Sequence, residues 1–481
     1  MKLSELLQGT AAPAELAGLE ISGLCYDSRK AKPGSLFVAI RGFAEDGNAY
    51  IAAAAEKGAV AVVTDAQPEG ALPIPHIVVE DARAALAQLS ARFYDNPQEA
   101  LTLVGVTGTN GKTTVANLLG GVLNACGHKC GVIGTVGVLI PGQKTVPLDR
   151  TTPESLDIYQ FLAQMRERGC THAVMEVSSH ALKLRRVEGL HFEAGIFTNL
   201  TQDHLDFHGT MACYQAAKAK LFDVCQTAVL NFDDPVWEAL VDGKPCQRFT
   251  YSREDIAATL IAKNVKLMSN QVTFDGIVRG SIARVSLGIP GLFSVYNALA
   301  ALGGALALGL GLEEAAEALA GLRGIPGRAE VVPVPADYTV LIDYAHTPDS
   351  MENILRAVRG FAQGRVISLF GCGGDRDRTK RPLMGRAGAQ HSDVCIVTSD
   401  NPRSEKPRAI IEDIIPGLMG FNKPMHIITD RREAIAFALR MANPGDVVVL
   451  MGKGHETYQE IEGKKHHLDE REVVAEYFAA L

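Results

Sequence analysis

Leu101-Thr-Leu-Val-Gly-Val-Thr-Gly-Thr-Asn-Gly-Lys-Thr-Thr114 decides the fold class. An apolar run ending in glycine passes directly into a helical pattern over residues 112–126, the strand–loop–helix order of a phosphate-binding loop. Backbone N–H groups in such a turn face inward, and the helix N-terminus adds partial positive charge, so together they cradle phosphate oxygens. Of Gly108, Thr109, Asn110, Gly111, Lys112, Thr113 and Thr114, Lys112 is expected to reach the terminal phosphates of ATP and the Thr113 hydroxyl to ligate Mg²⁺. The glycine expected six positions before Lys112 is Val106 here, with Gly105 one place further back. A phosphate loop alone means nucleotide binding, and leaves kinases and GTPases open.

Short apolar runs at 131–140, 173–177, 194–199 and 228–231 follow, separated by helical stretches. This alternation implies a mainly parallel sheet covered by helices, with ligands at the carboxyl ends of its strands. Upstream, residues 1–97 mix short strands with Ala-rich helices, such as 51–58 followed by a strand at 59–64. Residues 94–97 read as a turn. Downstream, Gly321-Leu-Arg-Gly-Ile-Pro-Gly-Arg328 reads as a hinge. Strands are then expected at 339–344, 365–370, 394–399, 426–429 and 447–451, with helices at 348–361, 406–418 and 431–441. The expectation is an α/β chain of three domains, 1–97, 98–325 and 326–481.

Its 481 residues exceed one hydrophobic core, and 47% apolar with 21% charged residues is an ordinary globular balance. A net charge of −8 argues against a general nucleic-acid binder. Nine scattered cysteines fit a reducing compartment, and Cys126, His128 and Cys130 lack the spacing of a zinc knuckle. The first residues carry no signal-peptide core, and the longest apolar stretch, 298–312, is too short to span a membrane.

Further motifs narrow the choice: Met175-Glu-Val-Ser-Ser-His180, Thr198-Asn-Leu-Thr-Gln-Asp-His-Leu-Asp206, Tyr296-Asn297, Gly327-Arg328 and Asp343-Tyr-Ala-His-Thr-Pro348. With the phosphate loop, in this order, they resemble the Mur ligases of bacterial cell-wall synthesis over essentially the whole chain. Asp27-Ser-Arg29, Thr151-Thr-Pro153, Gly371-Cys-Gly-Gly-Asp-Arg376, Asp400-Asn-Pro-Arg403 and Gly452-Lys-Gly-His-Glu456 resemble those members that add 2,6-diaminopimelate. The resemblance implies a cytoplasmic, monomeric, Mg²⁺-dependent enzyme. It implies an N-terminal α/β domain for a UDP-sugar, a central P-loop-type sheet for ATP and a C-terminal Rossmann-like domain for the incoming amino acid. The implied partners are small molecules only: UDP-N-acetylmuramoyl dipeptide, meso-diaminopimelate and ATP, with neither nucleic acid nor membrane.

The implied chemistry runs through an acyl phosphate. A carboxylate attacks the γ-phosphate, ADP leaves, and an amine displaces the phosphate. Two anions must meet, so cations must neutralise them. Lys112, Glu176, His204 and Lys218 form the implied catalytic set. Lys218 resembles a family lysine that carries CO₂ as a carbamate, which turns a cation into an oxygen donor suited to Mg²⁺; Lys220 is its competitor. The implied metal ligands are then Thr113, Glu176, His204 and carbamylated Lys218, with His180 orienting the loop and His208 structural. The resemblance further implies ATP contacts at Asn297, Arg328 and Asp343, the last two brought in by domain closure. It implies UDP-sugar-peptide contacts at Ser28, Thr151, Thr152, Ser178 and Arg186, with Arg185 as an adjacent alternative. The family often has Asn at Ser294 and a polar residue at Leu184, so one contact is missing here.

Diaminopimelate differs from lysine by a second zwitterionic centre, whose carboxylate suits a planar guanidinium bidentately. Arg403, on a loop stiffened by Pro402, is expected to read it, and Asp400 and Asn401 to take the distal ammonium. The resemblance adds Arg376, Gly452 and Glu456. A folylpolyglutamate synthetase shares the loop but lacks these motifs. A nucleotide-binding regulator would have no need of the lysine and metal set. Lys112→Ala is expected to abolish ADP release in a coupled assay, and measurable ligation by that variant would exclude this nucleotide site.

Overall fold

The apolar runs become strands in the computed structural model, which describes residues 1–8, 14–42, 45–67, 70–322 and 324–480. They fall into two units, Met1–Thr250 with Gly303–Gly309, and Tyr251–Leu302 with Leu310–Leu481. In the first unit, Gly23–Cys25 (β1), Ser35–Ala39 (β2), Ala59–Thr64 (β3) and His76–Val78 (β4) form a parallel sheet in chain order. Leu86 and Leu89 of the helix Ala82–Phe93 pack with Leu36, Val38 and Val63 in its core.

The unit's second sheet contains Thr102–Thr107 (β5), Cys130–Gly134 (β6), Gly137–Leu139 (β7), His172–Glu176 (β8), Phe192–Phe197 (β9) and Cys225–Asn231 (β10), in the order β10-β9-β5-β8-β6-β7. All these pairs are parallel except β6–β7. Val106 lies opposite Glu176, and Thr107 opposite Phe197, so the phosphate loop and the segments after β8 and β9 leave the same carboxyl edge. The run 131–140, read as one strand, is two. Gly137 takes a left-handed φ of 123° and reverses the chain, and a Cβ at Gly134 would collide with the Glu176 carboxylate.

In the second unit, the end of Gln247–Ser252 (β11) pairs with Leu260–Leu267 (β12), followed antiparallel by Val272–Val278 (β13) and Ser281–Leu287 (β14). The sequence reading did not foresee these strands; polar residues and glycine interrupt their apolar positions, as at Lys263-Asn-Val-Lys266 and Asp275-Gly276. Glu330–Val332 (β15), Thr339–Asp343 (β16), Val366–Phe370 (β17), Val394–Val397 (β18), Met425–Ile427 (β19) and Val447–Met451 (β20) form a sheet ordered β15-β16-β20-β17-β18-β19, parallel apart from β15. Its core is Val340, Ile342, Ile367, Leu369, Val448 and Leu450. Tyr458–Ile461 (β21) and Lys464–His467 (β22) form a hairpin. The expected helices are Pro348–Arg359, Pro407–Leu418 and Arg431–Met441. In the hinge segment, Gly324 and Gly327 hold φ of 94° and 70°, while Arg323 lies outside the described residues. The stretch 298–312 falls largely in the helix Leu292–Ala307, and no described helix is long and apolar enough to cross a membrane.

The helix Lys380–His391 was not legible in the sequence because the face it buries is small rather than apolar. A Cβ at Gly385 would overlap the Ile414 carbonyl oxygen, and one at Gly417 the Pro382 carbonyl oxygen, so this helix and Pro407–Leu418 meet backbone to backbone. Gly417→Ala is expected to cost about 1–3 kcal/mol in urea unfolding, because overpacking forces the helices apart. An unchanged midpoint would show that the contact yields freely.

Candidate functional site

At the carboxyl edge of the first unit, Gly108 has φ 145° and Gly111 φ 86°. A Cβ at Gly108 would overlap Thr198 Oγ1, so only glycine allows the loop to lie against the end of β9. Thr198 Oγ1 donates to the Asn110 carbonyl at 2.6 Å, the Asn110 N–H donates to Asn199 Oδ1 at 2.9 Å, and the Thr109 N–H to the Asn199 carbonyl at 2.8 Å. Thr109 Oγ1 accepts the Thr201 N–H at 3.0 Å. The helix Lys112–Ala125 starts there, so the positive end of its dipole faces the loop. Lys112 Nζ donates to the carbonyls of Gly108 at 2.9 Å and Thr109 at 2.8 Å. Thr114 is buried.

Glu176 ends β8, buried, and accepts from Thr113 Oγ1 at 3.0 Å and the Thr135 N–H at 2.7 Å. Thr113 and Glu176 thus bring two hard oxygens together, the donor type Mg²⁺ prefers. Among the described residues no three His, Cys, Asp or Glu side chains gather into a metal cluster. Lys218 is 1% exposed, its Nζ donates to the Gly108 carbonyl at 2.7 Å, and it lies 4.4 Å from the centre of the Tyr214 ring. Burial, then the charge of Lys112, drive its pKa well below the ordinary lysine value, against Asp203. Lys220, its sequence competitor, is exposed.

His204 caps the short helix Leu205–His208 at φ 53°, with Nε2 3.4 Å from Asp203. Burial lowers its pKa, as do Lys112 and Lys218, while Asp203 and Asp206 oppose. His180 stacks on Phe207 at 4.1 Å and packs against His204 at 4.8 Å, and burial with the neighbouring histidines lowers it to about 4. His208 is buried, with Nε2 2.9 Å from Ser179 Oγ, which fits the structural role expected of it.

Of the residues expected at the sugar-peptide side, Thr151, Thr152, Ser178 and Arg186 join the same network. Thr135 Oγ1 lies 3.1 Å from Thr151 Oγ1, and Thr152 Oγ1 donates to the Glu176 carbonyl at 2.8 Å while accepting the Ser178 N–H at 3.1 Å. Arg186 is buried, donates to the Thr152 carbonyl at 2.9 Å and pairs with Glu154 at 3.0 Å. Arg185 is exposed and pairs with Asp81, which separates the two arginines. Ser28, itself half-buried, opens an otherwise exposed turn capped by Asp27; among the described residues no side-chain bond joins it to this network.

In the second unit, Arg376, Asp400, Asn401, Arg403, Gly452 and Glu456 all line one cavity of about 500 Å³. Pro402 does not; its carbonyl abuts Gly374, where a Cβ would overlap it. Arg403 is held at φ 51°, its N–H donates to the Glu460 carbonyl at 3.0 Å, and Nη1 donates to the Gly374 carbonyl at 2.6 Å. Arg376 is exposed at the rim. A Cβ at Gly452, φ 112°, would overlap the Asp400 carboxylate. Burial alone would raise the Asp400 carboxyl, but Lys453, Arg431, the Asn401 N–H and His346 hold it below the usual range.

Of the expected ATP contacts here, Asp343 accepts the N–H groups of Ala329 at 2.7 Å and Ala345 at 2.8 Å, and burial raises its pKa against Arg328. Arg328 lies 5.2 Å from the centre of the Tyr344 ring, and Asn297 is buried. Ser294 Oγ donates to the Pro290 carbonyl at 2.9 Å, a local helix bond. The sequence reading missed Thr135, Tyr214 and Lys453. Tyr214 had a signal, since it stands one helical turn before Lys218.

Three family profiles match this chain: the Mur ligase family catalytic domain over residues 20–94, the Mur ligase middle domain over 106–305, and the Mur ligase glutamate ligase domain over 327–454. The chain belongs to the Mur ligase family. It is 47% identical to the UDP-N-acetylmuramoyl-L-alanyl-D-glutamate–2,6-diaminopimelate ligase of Caldanaerobacter subterraneus subsp. tengcongensis, across 100% of this chain and 99% of that one. It is 42% identical to the ligase of the same name from Clostridioides difficile, across 99% of each. A solved structure of a ligase of that name is 33% identical and superposes with a TM-score of 0.73, over 100% of this chain and 99% of the other.

Proposed function

We propose that the protein is an ATP-dependent, ADP-forming ligase that adds meso-2,6-diaminopimelate to UDP-N-acetylmuramoyl-L-alanyl-D-glutamate in peptidoglycan precursor synthesis, acting as a cytoplasmic monomer. The observation that carries the substrate assignment is the second unit's cavity, where Arg376 and Arg403 stand with Asp400, Asn401 and Glu456 around about 500 Å³. A diaminopimelate carries two ammonium and two carboxylate groups, and walls of both signs suit it. The full-length likeness to diaminopimelate-adding ligases supports the same reading.

In this reading the loop amides from Gly108 to Thr114 and Lys112 hold the ATP phosphates. A carboxylate oxygen of the D-glutamyl residue, its peptide arm held by Thr151, Thr152, Ser178 and Arg186 and the nucleotide end by Ser28, attacks the γ-phosphorus. The phosphorus–oxygen bond to ADP breaks, giving an acyl phosphate and ADP. The diaminopimelate amine attacks the acyl carbon, and inorganic phosphate leaves with its bonding pair as the amine's proton is lost. Thr113, Glu176, His204 and carbamylated Lys218 would hold Mg²⁺, which supplies positive charge to the phosphates. Once deprotonated, which its lowered pKa favours, the buried Lys218 amine adds to CO₂ with loss of one proton, and the carbamate so formed places an anion beside Lys112.

Mixing ATP, Mg²⁺ and the UDP-sugar dipeptide with diaminopimelate or lysine and weighing the product tests the assignment; lysine is expected to react at least ~10⁴-fold less efficiently, because it leaves polar groups of the site unpaired. Arg403→Ala is expected to cut kcat/KM for diaminopimelate by at least ~10²-fold with ATP affinity little changed. Near-normal turnover by that variant would overturn the substrate assignment. After equilibration with ¹³C-bicarbonate, a carbamate carbon resonance is expected from the wild type and Lys220→Ala and not from Lys218→Ala; a resonance surviving in Lys218→Ala would remove the modification from this lysine.

A further inference from the structure

Lys453 is the member of Gly452-Lys-Gly-His-Glu456 that the proposed reaction leaves unused. Its side chain is 0% exposed and it does not line the cavity. Its Nζ donates to Asn401 Oδ1 at 2.9 Å and to Glu456 Oε2 at 2.9 Å. Asn401 Oδ1 also accepts the Glu460 N–H at 2.9 Å, and Asn401 Nδ2 donates to Glu456 Oε2 at 2.9 Å. The ammonium and the Glu460 N–H both require an acceptor, so they settle which end of the Asn401 amide is oxygen. That turns Nδ2 toward Glu456 and commits Oε2, leaving Oε1 as the oxygen Glu456 offers to a ligand. The other buried cation nearby, Arg431, is committed to Glu470 at 2.8 Å and to the Met451 carbonyl at 2.8 Å.

We propose that Lys453 is a positioning residue for amino-acid recognition, locking Asn401 and Glu456 into the arrangement that receives the distal ammonium of the substrate. The inference rests on reading the cavity as the diaminopimelate site. Without the ammonium, the Asn401 oxygen keeps only the Glu460 N–H to orient it, and the half-buried Glu456 carboxylate has one donor fewer. The loss falls on ground-state recognition of one substrate, which distinguishes it from a general loss of folding.

Steady-state kinetics of Lys453→Met, with each of the three substrates varied in turn, test this. The KM for diaminopimelate is expected to rise ~10–100-fold, the scale on which partners that orient a ligand group act. The KM values for ATP and the UDP-sugar dipeptide, and kcat at saturating diaminopimelate, should stay within about 3-fold, the pattern of lost uniform binding. Lys453→Arg, which keeps the charge and donors, should recover part of the loss. If Lys453→Met does not fold, judged by thermal melting, Lys453→Gln carries the same readout. An unchanged KM for diaminopimelate in a folded variant, or a fall in kcat with all three KM values unchanged, would overturn the role of Lys453. Failure of the wild type itself to turn over diaminopimelate would instead overturn the reading of the cavity.

Discussion

Two lysine side chains meet at one carbonyl oxygen, that of Gly108, with Lys112 Nζ at 2.9 Å and Lys218 Nζ at 2.7 Å. Two positive charges that close, one of them out of water, repel, and the pKa of the group with less solvent falls the further. Lys218 is that group. The rest of the loop serves to keep this carbonyl where both amines reach it. Gly108 adopts a conformation no side chain tolerates, Thr198 to Thr201 stitch the turn in place, and Tyr214 lies under Lys218 with its hydroxyl 3.2 Å from Thr109 Oγ1. A cradle for phosphates has to concentrate positive charge before its ligand arrives, and carbonyls turned toward the lysines make that concentration tolerable.

Much of the first site was legible because it is local in sequence. The strand, the glycines and Lys112 follow one another, and parallel pairing carries Glu176 and Thr198 to the same sheet edge by register alone. Thr135 was hidden because the run 131–140 reads as one extended strand. The reversal depends on Gly134 leaving room for a carboxylate that belongs to β8, and nothing in that run announces it. Lys218 was preferred to Lys220 by resemblance alone, since both lie in the same Ala-rich stretch, and the fold adds that Lys218 is the one that faces inward.

The cavity of the second unit was legible as motifs but not as a network. Asp400 to Arg403, Gly452 and Glu456 are distinctive strings, yet what aligns them is contributed by residues with no distinctive string. Gln459 donates to the Asp400 carbonyl at 2.6 Å, the Glu460 N–H meets Asn401, and Ile461 forms a bridge with Arg403. These belong to the β21–β22 hairpin, an ordinary two-stranded element by sequence. The helix Lys380–His391 is a second case: its Arg381, 1% exposed and paired to Glu405 and Asp413, lines the cavity.

Holding Arg403 at a left-handed φ costs of order 1–3 kcal/mol, and such a conformation persists only where its surroundings over-determine it. Here the Glu460 carbonyl takes its N–H, its own carbonyl takes the Glu462 N–H at 2.7 Å, and the Gly374 carbonyl takes its guanidinium. An arginine on a mobile loop would give up rotamer freedom each time a carboxylate arrived; one already fixed gives up little. The same fixing makes discrimination possible. A guanidinium that cannot swing back to water keeps its unmet donors when a ligand lacks the second carboxylate, so the smaller ligand is penalised rather than merely less rewarded. Under the proposed reading of the cavity, rigidity of the Asp400–Arg403 segment and selectivity for a doubly zwitterionic amino acid are one property, set by the hairpin that packs against it.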